Sequence, residues 1–308
     1  MPKLLSENSH APFWQLVPGV LALRYRRFRI HRHILSLGFT SAQLPHEGLH
    51  VHVYRNYRQQ APTLVLLHGF LDSSHTWRRL LPDLSERYNL VLIDIPGFGY
   101  SRMPAIRMLW NIPSMAASLA RFIFSTLELN PVRLLTHSLG GLLAVHIFRY
   151  AQQQLPEANI EAMHLIAPGL LRMPPAERDK IRRQLFPRSI AEVRELIQQI
   201  YTRERADLSD WILRGLLYEW SHTGYLYLAE NTVENESNIF LQPADLKPYQ
   251  KFTTLYWNQA DGITPYDMGR RIKRACPKIQ LITLEAGGHA PQQEAPMVLL
   301  NKLHEHLL

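Results

Sequence analysis

The stretch Leu134-Leu135-Thr136-His137-Ser138-Leu139-Gly140-Gly141 decides the fold. An apolar strand runs into a serine, and a second apolar run, Leu142-Leu143-Ala144-Val145, follows at once and reads as helix. A strand, a sharp turn and a helix in that order lift a serine hydroxyl above the end of a sheet. The serine must take an unfavourable backbone conformation there, so its neighbours two before and two after must be small. Gly140 meets the second requirement. Thr136 stands where glycine would serve best; a β-branched residue suits a strand end but crowds the turn. The plainer alternative is that Ser138 only caps the next helix.

Bulk properties narrow the field. The 308 residues are 46% hydrophobic and 19% charged, the balance of an ordinary globular chain long enough for one large core or two unequal ones. A single cysteine, Cys276, excludes an internal disulfide and a cysteine-based zinc or cluster site. The chain therefore suits a reducing compartment, and a cytoplasmic location is expected, with peripheral contact at the inner membrane face as an extension of it. The formal net charge is +8, and five of those eight charges lie in residues 1–40, where Lys3, Arg24, Arg26, Arg27, Arg29 and Arg32 face only Glu7. A local excess without a recognition motif does not indicate nucleic-acid binding. No run reaches the roughly 20 apolar residues that span a bilayer. The positive charge follows the apolar run instead of preceding it, so a secretory signal is not expected.

Residues 11–39 form a separate N-terminal unit, with Leu23, Arg27, Ile30 and Ile34 at helical spacing and arginines between them. An amphipathic basic helix can lie on an anionic membrane with its apolar side among the lipid tails. It can equally pack on the main domain and show its arginines to water.

Beyond it, Leu49 to Tyr57 alternates as a strand does. Six apolar runs then follow, at residues 63–67, 89–93, 132–135, 162–166, 254–257 and 279–284. Such continuous runs mark strands covered on both faces. Helical patterns such as Met115–Leu127 and Met268–Cys276 lie between them, which predicts an α/β fold with a parallel sheet. Ligands bind such sheets outside the carboxyl ends of the strands. His68, Asp94, Ser138, Asp261 and His289 all fall at those ends. From about 170 to 245 the alternation stops. The segment is helical and rich in arginine and aromatics, and it reads as a lid inserted over the sheet.

A serine hydroxyl needs a base, and the base needs a carboxylate to orient it. His289, in the glycine-rich loop Glu285-Ala286-Gly287-Gly288-His289-Ala290 after the last strand, is the candidate base. Asp261, in the loop after the fifth apolar run, is the candidate acid, against the simpler reading of an Asx turn at Asp-Gly. The order serine, acid, histidine along the chain supports both. Asp267 is expected to cap the next helix, Asp94 to tie down the loop Pro96-Gly97-Phe98-Gly99, and His68 to hold its own loop. Backbone N–H groups of Phe70 and Leu139 are the candidate oxyanion hole, with Gly69 allowing close approach. There is no G-x-G-x-x-G after a strand and no P-loop, and no cofactor and no metal are expected.

Taken together, Leu67-His68-Gly69-Phe70, Trp77, Asp94-Ile95-Pro96-Gly97-Phe98-Gly99-Tyr100-Ser101, the serine turn and Gly288-His289-Ala290-Pro291-Gln292-Gln293-Glu294-Ala295-Pro296 resemble the α/β-hydrolase superfamily over residues 38–308. The chain is similar to the branch of monoacylglycerol lipases, bacterial lipases and carbon–carbon bond hydrolases. It departs from the pattern at Thr136 and at Asn258, where glycines are common. The resemblance implies a mostly parallel central sheet with helices on both faces and a helical lid. The expected division is a basic segment at 1–40, a hydrolase core at 41–169, the lid at 170–245 and the rest of the core at 246–308. It also implies a serine hydrolase of small-molecule carboxylic esters, with an apolar acyl group as the expected substrate. Hydrolysis of a carbon–carbon bond by the same triad, and a non-catalytic binding protein of the same fold, stay open as alternatives.

Overall fold

A computed structural model describes residues 13–58, 60–102, 111–202, 208–220, 225, 228, 231–232 and 236–307. Eight strands form one sheet: β1 (Thr40–His46), β2 (Leu49–Arg55), β3 (Thr63–Leu67), β4 (Asn89–Ile93), β5 (Val132–His137), β6 (Ile160–Ile166), β7 (Thr253–Asn258) and β8 (Gln280–Leu284). Their spatial order is β1-β2-β4-β3-β5-β6-β7-β8. β2 runs antiparallel to both its neighbours, and all other pairs are parallel.

The apolar runs are explained by burial on both faces. In β3, Val65 and Leu67 join one core cluster while Leu64 and Leu66 join the other. In β4, Val91 and Ile93 divide from Leu90 and Leu92 in the same way. Side chains alternate across a strand, so a strand covered twice has no polar face to display. Helices α3 (Ile112–Arg121) and α4 (Leu139–Gln154) supply the first cluster, whereas α2 (Leu81–Leu84) and the C-terminal helix Pro296–His306 supply the second.

β1 carries no apolar run, and the sequence reading omits it. It is an edge strand whose residues are mostly exposed, with Pro45 tolerated because an edge leaves one ladder unpaired. Its register, Thr40 opposite Arg55 and His46 opposite Leu49, is closed by a turn at Glu47 and Gly48 with φ of 50° and 76°. The helix read over 115–127 instead starts at Ile112, capped by Asn111, and ends as a wider π-turn at Phe122–Thr126. Asp267 is not a cap either. Pro265 precedes the helix Tyr266–Ala275, and Asp267 sits in its first turn, 3.0 Å from Arg270.

Between β6 and β7 lie α5 (Pro175–Leu185), α6 (Ile190–Ile200) and α7 (Asp210–Trp220). Leu171 and Leu241 form a parallel bridge, so this insertion leaves and rejoins the sheet at one place. Val193, Leu213 and Leu217 give it a small core of its own.

The N-terminal helix α1 (Phe13–Ser36) packs on the protein. Leu23 and Ile34 are buried, so the face bearing Leu23, Ile30 and Ile34 turns to the protein and is closed to lipid. α1 crosses α7 where Gly19 meets Gly215; a Cβ on Gly215 would stand 2.7 Å from the carbonyl carbon of Gly19. Arg27 clasps Glu219 at 2.6 Å beside that crossing. Among the described residues, no helix is long and apolar enough to cross a membrane.

Among the buried histidines, three carry the largest downward shifts and make the fold sensitive to acid. Burial, foremost, pushes His164 on β6 and His137 on β5 down to about 3, and His75 down to about 4. Each is neutral in the folded chain and takes up a proton near 6.5 once unfolded. Their contribution is complete above pH 6.5 and is lost as pH falls toward 4. Urea midpoints should therefore decline between pH 6.5 and 4, and His164→Leu should make that decline shallower.

Candidate active site

The site is built where β5 ends. Ser138 has φ 51° and ψ −114°, a left-handed conformation that a residue with a side chain rarely adopts and that costs roughly 1–3 kcal/mol. It persists because the surroundings over-determine it. The Ser138 N–H donates to the Ile166 carbonyl (2.9 Å), and its carbonyl accepts from Gly141 (2.9 Å). Gly140 lies against β3: a Cβ there would be 2.5 Å from the Leu67 carbonyl oxygen and 2.7 Å from that of His68. Ser138 makes no side-chain cap bond to α4, so its hydroxyl is not spent on the helix.

Thr136 fits without crowding. It is fully buried, and a Cβ on Gly141 would meet its Oγ1 only at an ordinary 3.6 Å; the close approach at Gly141 is to Pro168, whose Cβ would stand 2.6 Å away. At the other departure, Asn258 donates from Nδ2 to the Leu284 carbonyl (2.8 Å) and accepts from the Ala260 N–H (2.7 Å). It thereby joins β7 to β8 and shapes the turn before Asp261.

The structure brings Ser138, His289 and Asp261 together. His289 Nε2 lies 3.0 Å from Ser138 Oγ. Its Nδ1 lies 3.1 and 3.0 Å from the two Asp261 carboxylate oxygens. A carboxylate can only accept, so Nδ1 carries the proton and Nε2 is left to accept from the serine hydroxyl. Both side chains come from loops at strand ends, after β8 and β7 respectively.

Asp261 is held by more than His289. Its Oδ1 accepts from the N–H groups of Ile263 (2.8 Å) and Thr264 (2.9 Å), and Oδ2 accepts from Thr264 Oγ1 (2.8 Å). Burial works to raise this carboxyl, but the His289 ring and these donors outweigh it and hold the group below the usual carboxylate range. Nothing in the sequence singles out Thr264. Only the folded loop shows that its hydroxyl and amide close on the same carboxylate.

His137 is a second residue that the motif leaves anonymous. Its ring lies 4.9 Å from that of His289, and its Nε2–H donates to the His289 carbonyl (2.8 Å), fixing the histidine loop to the serine turn. The α6 end does the same from above: His289 N–H donates to the Ile200 carbonyl (2.9 Å), and Glu294 accepts from Gly288 N–H (2.8 Å) and Thr202 N–H (3.1 Å).

The supporting loops behave as read. Asp94 accepts from Tyr100 N–H (2.9 Å) and Ser74 N–H (2.7 Å) and faces His52 Nδ1 at 2.9 Å. Burial opposes its ionisation, yet His52, His68 and these donors hold it far below the usual carboxylate range. His68 donates from Nδ1 to the Gly69 carbonyl (2.8 Å) and accepts the Ile95 N–H at Nε2 (3.0 Å). Phe70 and Leu139 line the same cavity as Ser138. Leu139 is the first residue of α4, so its N–H has no acceptor within the helix.

That cavity measures about 1050 Å³. Leu142, Met173, Leu185, Phe186 and Ile212 line it, together with arginines of α1, of the turn after β3 and of α5.

A family model for the alpha/beta hydrolase fold matches residues 62–296. The chain belongs to the α/β-hydrolase family. It is 25% identical to the uncharacterized hydrolase YugF of Bacillus subtilis over 266 residues, 82% of this chain and 92% of that one. Among solved structures, naproxen esterase of Bacillus subtilis superposes with a TM-score of 0.71 at 18% identity, covering 92% of this chain and 98% of its own. The 2-hydroxy-6-oxo-6-phenylhexa-2,4-dienoate hydrolase of Rhodococcus gives 0.72 at 21%, covering 87% and 98%. At such identities these two likenesses speak for the fold alone.

Thr264→Val keeps the shape of the side chain and removes the donor to Asp261. It should lower unfolding free energy by about 1.5–3 kcal/mol, the range for a bond to a charged group. Thr264→Ser should restore most of it in urea unfolding.

Proposed function

We propose that this α/β hydrolase cleaves carboxylic esters with apolar acyl groups through an acyl-enzyme on Ser138. The observation that carries the reading is the hydrogen-bonded line from Ser138 Oγ through the His289 ring to Asp261, with 3.0 Å at the first step and 3.0–3.1 Å at the second. His289 takes the Ser138 proton as the oxygen attacks the ester carbonyl. The tetrahedral oxyanion accepts from the Phe70 and Leu139 N–H groups, and the positive end of α4 favours the charge. Protonated His289, stabilised by Asp261, gives its proton to the leaving alcohol. A water then gives a proton to His289 and attacks the acyl-enzyme, releasing the acid and restoring Ser138. The helices α5–α7 act as a lid, and their apolar inner side receives the acyl chain.

A fluorophosphonate probe and nitrophenyl esters of several chain lengths test this directly. Ser138→Ala should abolish labelling and lower ester turnover by roughly 10³-fold or more, and Asp261→Asn should lower it by about 10⁴-fold. An unlabelled natural protein would point to binding without turnover. Turnover of a ring-fission dienone in preference to every ester would point to carbon–carbon cleavage.

The reading extends to the protein surface. Leu21, Tyr25 and Phe28 of α1 are 56%, 63% and 57% exposed and share one helical face. Arg24, Arg29 and Arg32 stand on or beside that face. Apolar side chains ringed by cations suit an anionic lipid surface. The chain should sediment with phosphatidylglycerol vesicles much more than with phosphatidylcholine ones. Leu21→Ser with Phe28→Ser should remove that difference, and unchanged sedimentation of the double variant would refute the surface.

A further inference from the structure

On the outer side of the catalytic cavity lies a groove between α1 and the turn Ser74–Arg79 that follows β3. Arg26, Arg29, His33, Arg78 and Arg79 line it, together with Tyr25, Ile30 and prolines, and no acidic residue does. Arg26, Ile30 and Arg78 line both the groove and the cavity that contains Ser138. The two spaces therefore share a wall, and that wall is cationic.

The nearby acids are already engaged. Glu219 is held by Arg27 at 2.6 Å, and Asp72 accepts from Ser73 N–H (2.8 Å) and Gln293 Nε2 (3.2 Å). Among the described residues, Arg26, Arg29, Arg78 and Arg79 have no carboxylate within ion-pair distance. Arg78 gives one N–H to the His75 carbonyl (3.1 Å) and Arg79 gives one to the Gln293 carbonyl (2.8 Å). A guanidinium has five N–H groups, so each retains donors.

A cluster of like charges at a half-buried wall is unfavourable until an anion joins it. Arg78 registers the strain: burial, then the charges of Arg26 and Arg79, push its guanidinium down to about 10, at which it is still charged at neutral pH. A planar fork at a cavity rim matches the oxygens of a phosphate.

We propose that Arg26 and Arg78 form a phosphate-binding subsite at the cavity rim, so that the ester presented to Ser138 carries a phosphate head group while its acyl chain fills the apolar depth. This rests on the ester-hydrolase reading and names its substrate class. The lining supports it: Arg26 and Arg78 stand on the wall shared with the groove, and Leu142, Met173, Leu185 and Phe186 line the same cavity.

The test pairs two substrates that differ only in charge: a 1-acylglycerol and its 3-phosphate, of one chain length and below their aggregation concentrations. The natural protein should show the higher kcat/KM on the phosphate, and added salt should shrink the preference. Arg26→Gln and Arg78→Gln should each reduce the preference roughly tenfold, the effect of one lost charge-assisted bond, and Arg78→Lys should keep part of it. Arg26 is exposed on α1, so its variant remains informative if the Arg78 variant folds poorly. Equal turnover of the two esters by the natural protein, or a preference untouched by both Gln variants, overturns the subsite. Absence of turnover on both esters with no phosphonate labelling would instead be failure of the hydrolase reading. Calorimetry then still tests the subsite with an ether-linked 1-alkylglycerol 3-phosphate: equal binding by the natural protein and Arg26→Gln overturns it. Inorganic phosphate and glycerol 3-phosphate separate the sources. Weak competition by both beside strong competition by the ether analogue supports a lipid head group, whereas competition by glycerol 3-phosphate equal to that of the ether analogue overturns the acyl part of the proposal.

Discussion

The whole site hangs on how closely α4 approaches β3 behind Ser138. With Gly140 pressed against the carbonyls of Leu67 and His68, the chain has room to turn from strand to helix within one residue. The same approach is repeated at Gly69, where a Cβ would come within 2.9 Å of His137 Nδ1. These contacts are backbone against backbone or ring, so neither side can yield. The strain at Ser138 is carried by a packed sheet and not by the turn itself, which is how a costly conformation is kept there.

Around that fixed point, the loops after β7 and β8 must converge from different parts of the chain. They are tied to each other and to the insertion. Gly262 would place a Cβ 2.7 Å from the Gln199 carbonyl, and Gly288 would place one 2.8 Å from the Ile200 carbonyl. The end of α6 therefore touches the acid loop and the histidine loop at once. The helical insertion is thus part of what positions Asp261 and His289, and its side chains line the cavity. On its far side, α7 is locked to α1 at Gly19 and Gly215, and Arg27 pairs with Glu219. One continuous set of contacts runs from the N-terminal helix through the insertion to His289.

Charge in this molecule is placed selectively, with two carboxylates kept ionised inside and a cluster of arginines outside. His137 and His164 are held neutral by burial, and among the described residues the two buried carboxylates, Asp94 and Asp261, are held ionised by dense sets of donors. Arginines without a carboxylate partner among the described residues gather where α1 and the turn after β3 meet. Charge and apolar depth sit in one cavity, and an amphiphile has the same division.

Local order along the chain was enough to determine the strands, because a strand covered on both faces has to be continuously apolar, as 63–67 and 89–93 are. It was also enough to nominate Ser138, Asp261 and His289, which the fold brings together, since each follows a strand at one end of the sheet. β1 escaped because an edge strand buries little and needs no apolar run. Thr264, His137 and the α6 end escaped because their roles depend on atoms distant in sequence meeting in space. The direction of α1 was decided only by tertiary contacts. Its helical spacing allows either lipid or protein to cover Leu23 and Ile34, and the close crossing at Gly19 and Gly215 is what chooses protein. Sequence spacing records which residues share a face; which surface covers that face is settled by packing between segments far apart along the chain.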